Sequence, residues 1–438
     1  MSLERAQLGL TAAFAATLPV SIFASEILLV LSLGVLAARL VARRARLFPT
    51  ALDTPLLALV VWTLLAASFA QDPARAHVDA KKLLLYTVFY LAVEVLSRDG
   101  DRERVLQAVF LGGLALAGLM VAQHLFLGYD RLDRRPTGFL GHYMSASGVT
   151  MVVLLLAVAH LAFGPRTRPR LAHFGLAAAV LAGVGAVAAA TAVGHGLLAT
   201  RLCVAALAAA GAAVSLSGSA AAQAIALAAI AAPVAAWALV VSQTRNAWIG
   251  AVIGLSVIAL LRAPRLLWLL GLATAAVLVL RPAAITERLT IGDASSRDRY
   301  YMWQAGLDMV LDKPVFGQGP GMILVAYPRY RWPEATHPMQ PHLHNNLLQI
   351  AAERGLPGLA FFLWWAVAVF AAAIGEARRG VAEARAPDWA AGGALAALAA
   401  VFVAGLFEYN LGDSEVLMLV LVLTAVPFAL RLGRPAAA

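Results

Sequence analysis

Apolar stretches long enough to cross a bilayer recur along the 438 residues, separated by short polar turns or by groups of arginine. Runs such as 105–128, 149–164 and 221–241 approach or exceed the about 18 to 20 residues that a helix needs for the hydrocarbon core. In chain order the pattern predicts helices near 8–24, 26–42, 52–70, 83–97, 105–127, 143–163, 221–241, 246–262, 266–281, 346–376, 389–407 and 415–432. The Ala- and Gly-rich 171–217 stretch has few large side chains, so the expected count is 12 helices, or 14 if it spans twice. Small residues there suit close helix contacts in lipid. The expected fold class is all-α and polytopic.

One segment breaks the pattern. Residues 282–344 carry Pro, Gly, Trp and charges of both signs, too polar to span and too long for a simple turn. The expected organisation is therefore 1–281 as transmembrane helices with short outer loops, 282–344 as a large periplasmic loop, and 345–438 as C-terminal transmembrane helices. With 61% hydrophobic and 13% charged residues, against the about 25% charged of a soluble domain, a soluble enzyme is excluded.

A formal charge of +10 would suggest nucleic acid in a soluble chain, but here it follows the membrane. Arg39, Arg43, Arg44 and Arg46, then Arg98, Arg102 and Arg104, then Arg262 and Arg265, and finally Arg378, Arg379, Arg385, Arg431 and Arg434 fall on one side of the alternating helices. That bias predicts cytoplasmic termini and no nucleic-acid partner. Of 34 basic residues only Lys81, Lys82 and Lys313 are lysine. Cys203 stands alone in an apolar stretch, which supports neither a disulfide, a zinc ribbon nor a thiol nucleophile. Arg5 ahead of an apolar segment imitates a signal peptide, yet a second apolar segment follows almost at once, as in an uncleaved hairpin.

Against the inward bias, Arg131, Arg134, Arg135, Arg245, Arg297, Arg299, Arg329 and Arg331 fall on the outer side. The guanidinium fork matches phosphate oxygens, so an outward arginine group reads as a pyrophosphate or lipid-head site. The densest chemistry is His342-Leu-His344-Asn345, followed after nine residues by Gly355-Leu-Pro-Gly358. Histidine, with an ordinary pKa near ~6.5, is a general base for a hydroxyl acceptor. Asn345, Gln349 and Glu353 recur at helical spacing. His-x-His is also a metal pattern, but no carboxylate lies at matching spacing, so neither metal nor cofactor is expected. Trp303, Trp332, Tyr327 and Tyr330 either line a sugar cleft or anchor the interface.

These motifs resemble the O-antigen ligase and polymerase superfamily, whose signature is His, a small polar residue, nine variable residues and Gly-x-x-Gly. His344, Asn345, Gly355 and Gly358 match it, and Arg299-Tyr-Tyr-Met-Trp303 and Lys313-Pro-Val-Phe-Gly317-Gln-Gly319-Pro-Gly321 resemble its Arg-x-x-x-Trp and Pro-x-x-Gly-x-Gly elements. Arg135-Pro-Thr-Gly-Phe-Leu-Gly-His142-Tyr-Met and Thr244-Arg245-Asn-Ala-Trp248 look like ligases rather than polymerases. The resemblance covers roughly 130–165 and 240–430, with 171–217 looking like an insertion.

The resemblance implies a fold like the GT-C class of membrane glycosyltransferases, in a bacterial inner membrane with its site facing the periplasm. It further implies metal-independent, inverting transfer of O-antigen from undecaprenyl pyrophosphate to a hydroxyl of the lipid A-core oligosaccharide. His344, Arg299 and Arg245 are the expected catalytic residues, and Arg135, His142, His342, Asn345 and Trp303 the expected substrate-binding ones. A polymerase or a protein O-oligosaccharyltransferase would share this chemistry with another acceptor. A lipid-linked glycan transporter would instead show charges buried mid-helix and repeated halves, and apart from Glu94 neither is evident.

Overall fold

The computed structural model describes residues 3–164, 220–280, 294–382 and 388–433. The expected hairpin at 171–217, Cys203 and the 282–293 part of the polar stretch lie outside the described residues. The first half contains α1 (Leu3–Thr17), α2 (Ile22–Val41), α3 (Asp53–Ser68), α4 (Pro73–Asp79), α5 (Thr87–Leu96), α6 (Asp99–Phe126) and α7 (Tyr143–Phe163). The second contains α8 (Ala220–Ser242), α9 (Arg245–Arg262), α10 (Leu266–Leu280), α11 (Ala294–Asp312), α12 (Ile323–Tyr330), α13 (Asn346–Ala382), α14 (Trp389–Ala404) and α15 (Ser414–Leu432). No strand occurs among the described residues.

Seven of these helices (α2, α6, α7, α8, α9, α13 and α15) are long and apolar enough to cross a membrane; α3 and α14 are apolar but only 16 residues each. The described residues are those of an all-helical, multi-pass membrane protein. Two expected elements take a different form. The 83–97 helix begins as a 3-10 turn, Ala80–Tyr86, that runs into α5, and the loop before it holds α4, whose start is capped by Asp72 accepting from the Arg75 N–H with Pro73 just inside.

The polar 282–344 stretch also has helices and a core. Met302, Ala305 and Met309 recur along one face of α11 and bury against Ile323 and Tyr327 of α12 and against Leu343. An amphipathic rather than uniformly apolar pattern explains how this stretch folds without spanning.

In the bundle, α9 lies on α14 and α7, α8 on α6 and α7, α15 on α5, and α13 on α3 and α11. Almost every residue of α14 is buried, as expected for a helix apolar on all sides. Gly254 makes the three-helix contact possible: a Cβ there would lie 2.3 Å from Leu155 of α7 and 3.0 Å from the Ala396 carbonyl of α14.

The bundle has two chemically distinct ends. At one, the starts of α7 and α9 meet through Ser147 and Thr244 (3.0 Å), and Ser145 donates to Asp413 ahead of α15. At the other, Arg39 at the end of α2 pairs with Glu94 at the end of α5, and Arg102 at the start of α6 reaches Asp388 ahead of α14. The second end collects the arginines that the sequence pattern assigns to the cytoplasm.

Candidate active site

The site is built on a break in α13. Asn345 starts that helix, its Oδ1 accepting from the Leu348 N–H at 3.0 Å while its Nδ2 donates to the Leu406 carbonyl at 3.0 Å. After nine intervening residues the helix is interrupted at Gly355, whose φ of 69° is left-handed and whose Cβ, if present, would lie 2.0 Å from the Val315 carbonyl oxygen.

The chain around the break docks on the loop between α11 and α12. The Leu356 N–H donates to the Pro314 carbonyl, Gln318 N–H to Ala352 and Gly319 N–H to Glu353, at 2.8 to 2.9 Å. The Trp62 indole of α3 donates to the Arg354 carbonyl at 2.8 Å. The Gly355/Gly358 motif and the Pro314–Gly321 motif are thus two halves of one joint.

A buried relay connects this joint to the histidines. The Gly321 N–H donates to Glu353 Oε1, the Gln349 side-chain amide donates to the same oxygen, and Gln349 Oε1 accepts from the Leu343 N–H at 2.8 Å. The Trp303 indole donates to the Leu343 carbonyl at 3.0 Å. With its neighbour gripped on both sides, His344 is held at φ 49°, a left-handed conformation that costs a non-glycine residue about 1–2 kcal/mol.

That conformation presents His344 to a carboxylate far along the chain. His344 Nδ1 lies 2.8 and 3.0 Å from the two Glu408 oxygens, and the Tyr409 N–H donates to Oε1. Burial raises the proton affinity of Glu408, but the hydrogen bond and charge of His344, with His342 and Arg299, override it and hold the carboxyl below its ordinary range. An ionised Glu408 needs the proton on His344 Nδ1, which leaves the Nε2 lone pair as the basic site.

His342 packs edge-on to His344 with ring centroids 4.3 Å apart, its Nδ1 3.8 Å from Glu408, too far for a hydrogen bond. Burial first, then the neighbouring His344 charge, push its pKa down to about 4, so it is neutral near pH 7. Arg299 places Nη2 3.9 Å from Glu408. His344 and Arg299 line a cleft of about 470 Å³ with Tyr143, Met144, His337 and Gln340.

Of the sequence-selected residues, the fold brings His342, His344 and Arg299 together. His142 is exposed just ahead of α7, and its charge is felt at His342. Arg135 lies over the ring of Tyr143, a residue of the cleft wall, 3.4 Å from its centroid. Arg245 opens α9 at the same end, next to the Thr244 that meets Ser147 of α7. Asn345 and Trp303 use their polar side-chain groups to hold the backbone around His344.

Glu408 is the residue that sequence reasoning missed. Its signal was the polar run Glu408-Tyr-Asn-Leu-Gly-Asp413 interrupting the apolar C-terminal region, on the side where the histidines fall. The expectation of no metal rested on finding no carboxylate at helical spacing from His342 and His344, and that premise is corrected by tertiary structure. Donor atoms of His342, His344 and Glu408 lie within 4.8 Å of one another, a set able to hold a metal ion. The Asp99-Gly100-Asp101 sequence also has an acidic-pair spacing, but it opens α6 at the opposite end, paired with Arg102 and Arg98.

Comparison with known proteins bears on the same region. Residues 230–363 match the sequence model of a family described as O-antigen ligase, and the match includes Arg245, Arg299, His342 and His344. A Rickettsia conorii protein named "Putative polysaccharide ligase RC0486" is 28% identical over 93 residues, 19% of this chain and 22% of that protein. A similarly named ligase of Rickettsia prowazekii is 32% identical over 88 residues, with the same shares of the two chains. The matched stretch spans about a fifth of the length of these curated relatives.

Proposed function

Because residues 230–363 match the O-antigen ligase family model, we propose that the chain is a member of that family and transfers O-antigen polysaccharide from undecaprenyl pyrophosphate onto a hydroxyl of the lipid A-core oligosaccharide. The reaction takes place at the periplasmic face of a bacterial inner membrane. The observation that carries this reading is His344, held 2.8 Å from the buried Glu408 and opening with Arg299 into one cleft.

The acceptor oxygen attacks the anomeric carbon, its proton passes to His344 Nε2, and the bond from that carbon to the pyrophosphate oxygen breaks. Glu408 fixes the His344 tautomer and stabilises the imidazolium as it forms. Undecaprenyl pyrophosphate leaves with the bonding pair, and Arg299 offsets its charge, assisted by Arg245 and Arg135. His142 and the neutral His342 border the acceptor side. Both oxygens of buried Glu408 are taken up by His344, which argues against a covalent glycosyl intermediate and for inversion.

The test is transfer from purified undecaprenyl-pyrophosphate glycan to lipid A-core in EDTA. Wild type is expected to be active, and His344→Ala to lose about 10²–10⁴-fold, the usual worth of a general base; Arg299→Ala loses donor turnover as well. Elongation of the lipid-linked glycan without modification of lipid A-core would establish a polymerase instead. Activity abolished by EDTA and restored by a divalent ion would make His342, His344 and Glu408 metal ligands.

A further inference from the structure

The end of the bundle opposite the catalytic cleft carries a recess of about 320 Å³ lined by Arg39, Arg43, Arg44, Arg46, Glu94 and Arg98. Arg39 is 3% exposed and pairs with Glu94 at 2.9 Å; Arg98 pairs with Glu94 at 3.3 Å, with Asp101 at 3.0 Å and also with Glu4, so three carboxylates already face these two arginines. The two glutamates of the recess are therefore already engaged by the two inner arginines. Arg43, Arg44 and Arg46 are exposed, and none of them is ion-paired among the described residues.

Their placement follows from how α2 ends. Arg43 adopts φ 54° and the Arg44 N–H returns to the Arg39 carbonyl at 2.8 Å, so the chain folds back over the helix terminus and gathers its arginines around the recess. The negative end of the helix dipole favours cations there. Below them, α2 is only 28% buried, the least of the seven long apolar helices. Its exposed Phe23, Ile27, Val30, Leu31 and Val41 form an apolar face running up to the arginines.

A pre-organised excess of guanidinium groups directly above a lipid-facing apolar helix is complementary to one ligand class. We propose that the recess binds the phosphate headgroup of an anionic glycerophospholipid, with its acyl chains lying along α2. Guanidinium forks suit phosphate oxygens better than ammonium point charges do, and a zwitterionic lipid brings no net charge to offset three arginines. The site is independent of the transfer reaction and of the assignment of its substrates.

The experiment is native mass spectrometry of the full chain released from detergent after exposure to equimolar phosphatidylglycerol and phosphatidylcholine. Wild type is expected to retain phosphatidylglycerol in preference by roughly tenfold or more, since each basic residue near an anionic headgroup adds to the attraction. The Arg43→Gln/Arg44→Gln/Arg46→Gln protein loses that preference, and excess inorganic phosphate leaves the bound lipid in place. The less invasive Arg46→Gln protein reduces it in the same direction. Equal retention of the two lipids by wild type, an unchanged preference in the triple variant, or displacement of the lipid by inorganic phosphate alone would each overturn the proposal.

Discussion

His344 holds a backbone conformation that most residues avoid, and it does so because Trp303, Gln349, Asn345 and Glu408 restrain the chain around it. Glu408→Gln keeps the shape of this arrangement and removes its charge. The amide no longer dictates the His344 tautomer, and kcat is expected to fall by tenfold or more with little change in donor KM, read from initial rates over a donor series. The pH dependence of stability follows from His342 and Glu408 together. Burial lowers the His342 pKa from 6.5 to about 4, and His344 lowers that of Glu408 against the effect of burial. Both groups therefore take up protons at higher pH unfolded than folded, so stability is present above the unfolded pKa values and falls with pH. Thermal unfolding of the purified protein should show Tm declining between pH 6.5 and about 4, and His342→Gln should flatten that upper part of the decline.

At the scale of elements, His344, the proposed general base, depends on a helix joint some ten residues away. Gly355→Ala places a Cβ 2.0 Å from the Val315 carbonyl in a left-handed residue, so the first turns of α13 must separate from the Pro314–Gly321 loop. Backbone strain alone costs about 1–3 kcal/mol. The expected outcome is a lower Tm and loss of transfer, with normal membrane insertion judged by fractionation; Leu356→Ala, at an exposed neighbour, is the control that leaves both unchanged. Trp62→Phe removes the indole donor to the Arg354 carbonyl and should cost about 1 kcal/mol by the same thermal assay. The Gly-x-x-Gly spacing was visible in the sequence. That its partner is the Pro-x-x-Gly-x-Gly stretch was not, because docking between backbones leaves little trace in side-chain chemistry.

For the whole molecule, two ends of opposite character predict opposite accessibility. In a Cys203→Ala background, His337→Cys in the cleft wall and Arg46→Cys at the arginine recess should react with a membrane-impermeant maleimide from opposite sides of intact vesicles. Labelling of both from one side would refute the two-ended arrangement. The sequence alone determined the helical, membrane-spanning class and the alternation of arginine-rich ends, and it singled out His344 and Arg299 as candidates for the chemistry. Apolar periodicity and charge asymmetry are set by the solvent each residue meets, so they can be read one segment at a time. Only the tertiary structure decided that Glu408, 64 positions along the chain from His344, is its partner. It likewise decided that Trp303 and Asn345 support the backbone, and that 282–344 includes two helices with a core of their own. Those outcomes rest on contacts between distant segments, and a pattern along the chain carries no distance between its separated parts.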